Sequence, residues 1–143
     1  MDSPGTFRTS RHLNHSPAAV FAAFSDAGIL ASWWGPRGFT NEFEVFDFRP
    51  GGIWRFVMVG PDGSRHPNDS RFVQAEPPGA VVIRHVSAPV FTLTVQLTAV
   101  QGGTRIDWTQ VFDDPEVAAA VRHVVEPANE QNLDHLTAAL DRT

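Results

Sequence analysis

Cysteine is absent from the 143-residue chain, which removes disulfides, thiol nucleophiles and thiolate metal sites together. Lysine and tyrosine are absent as well, a compositional bias with no functional signature. Every basic side chain is therefore an arginine or a histidine; the arginines are scattered from Arg8 to Arg142, and the formal charge is −5. A nucleic-acid footprint needs clustered cations, so no nucleic-acid partner is expected. No apolar run approaches the roughly 20 residues of a membrane span. The opening stretch MDSPGTFRTS lacks the basic and apolar regions of a secretory signal. These absences point to a cytoplasmic protein without a membrane partner. Phosphate-binding and dinucleotide glycine fingerprints are missing, as is the G-x-S-x-G nucleophile elbow, and no cofactor is expected.

What remains is an ordinary globular composition, 42% hydrophobic and 19% charged, at a length that supports one domain over residues 1–143. Residues 7–13 suit a short strand. Ser16 followed by Pro17 is a helix start, because the hydroxyl caps an orphan N–H and proline sits where its missing donor costs nothing. Asp26 can cap a second short helix carrying Leu30, Trp33 and Trp34, which Gly35-Pro36 terminates. From about residue 40 the hydrophobic period changes to two, predicting strands at 41–48, 53–60, 70–76, 80–86, 90–100 and 104–112. PDGS, EPPG and QGG are among the turns between them. Beyond Asp113-Asp114-Pro115 the pattern is helical, with stripes Val117/Val121/Val124 and Asn129/Leu133/Leu136/Leu140. Pro127 either kinks this helix or opens a new one.

The order is strand, two short helices, six strands and a long terminal helix. Short turns make the sheet antiparallel, and its single apolar face has to be covered by the one element long enough to do so. The expected fold class is α+β: a helix-grip architecture, with a curved antiparallel sheet of six or seven strands wrapped around the C-terminal helix. A cavity can remain between the two layers.

The segments LASWWGPRGFT, DFRPGGIWRFVMVGPDG with the HPND that follows, and NLDHLTAAL resemble the bacterial relatives of the activator of Hsp90 ATPase homologue 1-like family, within the START/Bet v 1-like superfamily. The resemblance runs from about Phe7 to Leu140. It implies a helix-grip fold with an internal pocket for a hydrophobic or amphipathic small molecule. It does not imply one reaction, since superfamily members bind lipids, plant hormones or polyketides and some are cyclases. Where many relatives carry a Gly-Trp pair near the start of the last helical segment, this chain has Ala128-Asn129, which implies a roomier and more polar pocket.

Alternation places Trp54, Phe56, Met58, Phe72 and Trp108 on the inward face of the sheet, where core and pocket wall coincide. Of the paired indoles, Trp34 is the candidate for the rim, as core packing or as part of a gate whose flap is GPRGF. Leu133 lies on the helix stripe. The polar candidates are Gln110 in the last strand, Asn129, His85, whose side depends on register, and His66 with Asn68 in RHPND, where turn bonding competes with ligand contact. Gln110 and Asn129 can equally bond each other or a buried water.

His123 with Glu126 or Glu130 has metal-like residue types, but Pro127 argues against a common face, so no metal site is assigned. No catalytic residue is assigned either. Asp113, Asp114 and Glu116 read as caps and helix-dipole partners. The leading expectation is a binding protein for an apolar or aromatic small molecule, and a homodimer is compatible with the sequence. The alternatives are a cyclase or dehydratase using a histidine or carboxylate of the same pocket, and a chaperone-associated interaction protein. Stimulation of Hsp90 is not expected, because the chain has room only for the helix-grip unit.

Overall fold

The structure is a computed structural model and describes residues 4–77 and 79–142. Strand β1 (Thr6–Leu13) leads into helix α1 (Pro17–Ser25) and helix α2 (Ala27–Trp33). The caps are those the side chains dictate: Ser16 Oγ accepts from the Ala19 N–H at 3.2 Å and Asp26 Oδ1 from the Ile29 N–H at 3.0 Å. At the other end of α2, Asn41 Nδ2 donates to the carbonyls of Ala31 and Trp34 at 3.1 and 2.7 Å, satisfying acceptors left open where the helix stops.

Strands β2 (Thr40–Phe46), β3 (Ile53–Val59), β4 (Arg65–Glu76), β5 (Ala80–His85), β6 (Phe91–Val100) and β7 (Gly103–Phe112) follow, and helix α3 (Pro115–Arg142) closes the described chain. The seven strands form one antiparallel sheet in the order β1-β7-β6-β5-β4-β3-β2. The expected α+β helix-grip arrangement is therefore present. Pro78, part of the expected EPPG turn, lies outside the described residues.

One boundary differs from the sequence reading, and one alternative it left open is decided. First, β4 begins at Arg65, so the RHPND segment is strand and not loop. Pro67 is tolerated because β5 pairs with β4 only from Ser70 onward, leaving the Pro67 end of β4 laddered to β3 alone. Second, α3 is continuous through Pro127. The missing donor there removes one bond to the preceding turn, and the proline is exposed to solvent.

The PGG signature has a steric cause. Where the chain turns from β2 into β3, the Asp47 N–H bonds the Ile53 carbonyl at 2.9 Å and the Gly52 N–H bonds the Arg49 carbonyl at 2.8 Å. This folds the backbone so tightly that a Cβ on Gly52 would sit 1.8 Å from the Asp47 carbonyl oxygen.

The main core joins the concave face of the sheet (Trp54, Phe72, Val95, Ile106, Trp108) to Val20 and Phe24 of α1, Leu30 and Trp33 of α2, and Leu133, Leu136 and Leu140 of α3. A second, smaller cluster seats the start of α3, with Ala118 on Phe7 and Phe112. The Arg122 guanidinium lies 4.9 Å from the Phe7 ring centroid. On the rear of α3, Arg11 pairs with Asp134 at 2.7 Å and His15 with Asp141 at 2.9 Å, tying β1 and the β1–α1 turn to the helix.

Candidate functional site

Helix α3 buries Ala118 and then nothing fully until Asn129. It is anchored by a cluster at each end, with Val121 and Val125 partly buried against the first, and leaves a gap over part of the sheet between them. Beneath that span lies a cavity of about 230 Å³.

Sheet register builds the floor. Trp54, Ser70, His85 and Phe91 are successive cross-strand partners on β3, β4, β5 and β6, and Ile83, Leu93 and Gln110 form the next row. Residues in one row share a face, so once Trp54 points inward the rest of its row does too. The roof consists of Trp34, Gly35 and Pro36 from the loop after α2, with Val124, Val125, Ala128, Asn129 and Asn132 of α3. Val124, 56% exposed, marks the mouth.

The two adjacent tryptophans keep an edge-to-face contact, ring centroids 5.6 Å apart, but take different places because α2 ends between them. Trp33 is the last helical residue and turns into the core, its Nε1–H donating to the Ala23 carbonyl at 3.0 Å. Trp34 is the C-cap with ψ 135°, and that extended backbone carries its indole over the sheet, 5.1 Å from Trp54 and 5.8 Å from Trp108 by ring centroids. The loop beyond is fastened to α3. The Gly35 N–H donates to Asn132 Oδ1 at 2.7 Å, the Gly35 carbonyl accepts from His135 Nδ1 at 3.0 Å, and the Arg37 N–H donates to Gln131 Oε1 at 3.0 Å. Gly35 has φ +106°, and a Cβ there would meet Met58 Cε at 2.8 Å. The positive φ is what favours glycine here, since the Met58 methyl is the flexible end of its side chain and can move aside. The GPRGF segment, considered above as a flap, is held by three side chains of one helix.

Polar groups interrupt the apolar wall. Asn129 Nδ2 donates to Gln110 Oε1 at 3.0 Å. His85 stacks on Phe91 with centroids 4.5 Å apart. Its Nδ1 lies 2.9 Å from the Pro89 carbonyl and its Nε2 2.7 Å from Asn68 Oδ1, the Asn68 amide being oriented by its own donation to the His66 carbonyl. An imidazolium would satisfy both oxygens, yet burial, the larger effect, pushes the His85 pKa below the usual histidine value. The indole N–H groups of Trp54 and Trp108 are buried without a partner among the described residues.

Of the residues singled out from the sequence, Trp34, Trp54, Phe56, Met58, His85, Trp108, Gln110 and Asn129 come together around the cavity. Phe72 and Leu133 are buried in the core but do not line it. His66 lies away from it, exposed on the one-sided end of β4 and bonded to Ser64 Oγ at 2.9 Å. Asn68 and Ser70, two and four residues further along the same face of β4, line the cavity. Ser70 and Asn132 were not singled out; the register partner Trp54 and the i+3 spacing from Asn129 were the available signals. Asp114 caps α3 through the Glu116 N–H at 2.9 Å, whereas Asp113 pairs with Arg84 at 2.7 Å. Among the described residues no group of three or more His, Asp or Glu is placed to hold a metal, and His123 is exposed. No helix among them is long and apolar enough to cross a membrane.

The fold recurs in solved structures. A protein of Rhodobacter sphaeroides is 28% identical, with TM-score 0.86 over 98% of this chain and 94% of its own. The AHSA1 protein of Silicibacter pomeroyi is 25% identical, with TM-score 0.78 over 96% and 98%. A protein of Nitrosomonas europaea shares the fold at 19% identity, with TM-score 0.89 over 99% and 97%. No curated protein matches the chain. The family described as Activator of Hsp90 ATPase homolog 1-like protein matches residues 14–141, and the chain belongs to that family.

Proposed function

We propose that this protein binds a hydrophobic or aromatic small molecule in the cavity between the sheet and α3. The observation that carries this reading is the cavity itself, about 230 Å³ walled by three of the chain's four tryptophans. A hollow of this size, walled largely by aromatic and aliphatic side chains and open at the Val124 mouth, offers an apolar guest a surface to bury against. Burying ~200 Å² of ligand surface at about 25 cal/mol per Å² supplies roughly 5 kcal/mol before ordering costs, enough for modest affinity. Native mass spectrometry of the purified protein tests the reading through a co-purified guest, and titration of tryptophan fluorescence with uncharged aromatic compounds tests it directly. Saturable quenching is expected. Absence of both a guest and any saturable quenching would refute it.

A cyclase or dehydratase reading has less support. His85 is the one titratable side chain on the wall among the described residues, and both of its ring nitrogens face protein oxygens. A proton shuttle there would first have to break one of those contacts. The chaperone-associated reading rests on the family's name alone.

A further inference from the structure

The polar groups of the cavity define the chemistry of its guest more narrowly than its apolar wall does. This inference rests on the binding reading above and adds a selectivity to it. Among the described residues, no aspartate, glutamate or arginine lines the cavity. An anionic guest would leave its charge unpaired in an aromatic interior, and such burial is strongly unfavourable, while for a cation the aromatic faces offset only part of the lost hydration.

The Gln110–Asn129 pair supplies the positive criterion. Each side chain is 8% exposed, and one hydrogen bond joins them. Each amide has an NH2 end and a carbonyl end, so that bond engages one end of each and leaves the other NH2 group and the other carbonyl oxygen unengaged. This remains true if both amides are turned over. As oriented, the groups left are Gln110 Nε2 and Asn129 Oδ1. Among the described residues neither has a protein partner, and neither is sealed from solvent as the unpartnered indole nitrogens of Trp54 and Trp108 are.

The size of the guest follows from the space. A cavity of roughly 150 Å³ suffices for benzene, and this one is about 230 Å³. We propose that the cavity selects an uncharged one- or two-ring aromatic molecule bearing a lactam or carboxamide edge, its carbonyl accepting from Gln110 Nε2 and its N–H donating to Asn129 Oδ1. A hydrocarbon would leave both groups unpaired, and a carboxylate offers acceptors only and a charge.

Three probes of similar size separate these cases in fluorescence titrations near neutral pH: isoquinolin-1-one, its N-methyl derivative, and 1-naphthoate. Methylation removes the donor and orphans the Asn129 oxygen, so the derivative is expected to bind about 10- to 100-fold more weakly than the parent lactam. Naphthoate is expected to bind more weakly still. In Asn129→Leu the oxygen is gone, and the two lactams are expected to bind within about threefold of each other, the signature of a direct pairwise interaction. Should that variant fail to fold, the wild-type ranking stands as the test, and Gln110→Met provides the second variant.

Equal binding of the two lactams to the wild type, or tightest binding of naphthoate, overturns the proposal and leaves the binding reading standing. Failure of all three probes while a different guest co-purifies also overturns it. Failure of all three with no guest and no other aromatic bound overturns both.

Discussion

The contact between Asn132 and Gly35 is the most informative place to perturb the site, because it links the aromatic roof to the helix through one buried bond. The Gly35 N–H has Asn132 Oδ1 as its acceptor at 2.7 Å, and Asn132 is only 8% exposed. Asn132→Leu keeps the branched shape and the number of heavy atoms and removes that acceptor, so the expected loss is at least that of a buried donor left unsatisfied, about 1–3 kcal/mol. For a chain of this length, about 2 kcal/mol corresponds to a fall in Tm of roughly 6–10 °C. The local readout is amide exchange at Gly35, which should accelerate in Asn132→Leu and stay slow in Asn132→Asp, where an oxygen acceptor is retained. The bonds from His135 and Gln131 still hold the loop, so the sheet should be unaffected. A loss below about 0.5 kcal/mol together with unchanged exchange at Gly35 would refute the view that this bond fixes the roof.

Other residues give independent tests. Gly52→Ala forces a Cβ against the Asp47 carbonyl, and a thermal melt should show a loss of about 3 kcal/mol or more; a loss under about 1 kcal/mol would mean the turn relaxes freely. Burial holds the His85 pKa below its ordinary 6.5, so below that pH the unfolded chain binds more protons than the native state. Its contribution to stability is therefore full above about pH 6.5 and is lost as pH falls through the lowered native value. Melts from about pH 8 to pH 5 should show this decline, and His85→Gln should flatten it. A decline of the opposite sign would mean that the two facing oxygens outweigh burial. The Arg84 hydrogen bond, its largest cause, holds the Asp113 carboxyl below the usual range, a stabilisation present above the ordinary carboxylate pKa and lost on acidification. In Arg84→Gln, NMR titration should return Asp113 toward about 3.9; an unchanged value would assign the shift to another group.

The fold was legible wherever a local rule acted alone. Ser16-Pro17 and Asp26 cap their helices as side-chain chemistry requires, and the period-two runs from Thr40 onward became six consecutive strands. RHPND misled because proline and glycine nearby signal a turn, whereas an overhanging strand end tolerates proline equally well. Pro127 was undecidable for a similar reason. Packing at both ends of α3 holds the helix through the proline, and nothing within the local sequence reports that packing.

The site divides along the same line. Composition and alternation determined that the inward face would be aromatic, that no thiol chemistry would occur, and that Gln110 and Asn129 would be the polar exceptions within apolar stripes. Tertiary structure decided which of those residues meet. It brought His85 into the cavity wall and left His66 exposed beyond it beside Phe39, carried Trp34 over the sheet while Trp33 entered the core, and left a cavity under α3 between Ala118 and Asn129. The physical reason is that side-chain direction repeats locally along a strand or helix, whereas a gap between two layers depends on where distant contacts anchor them.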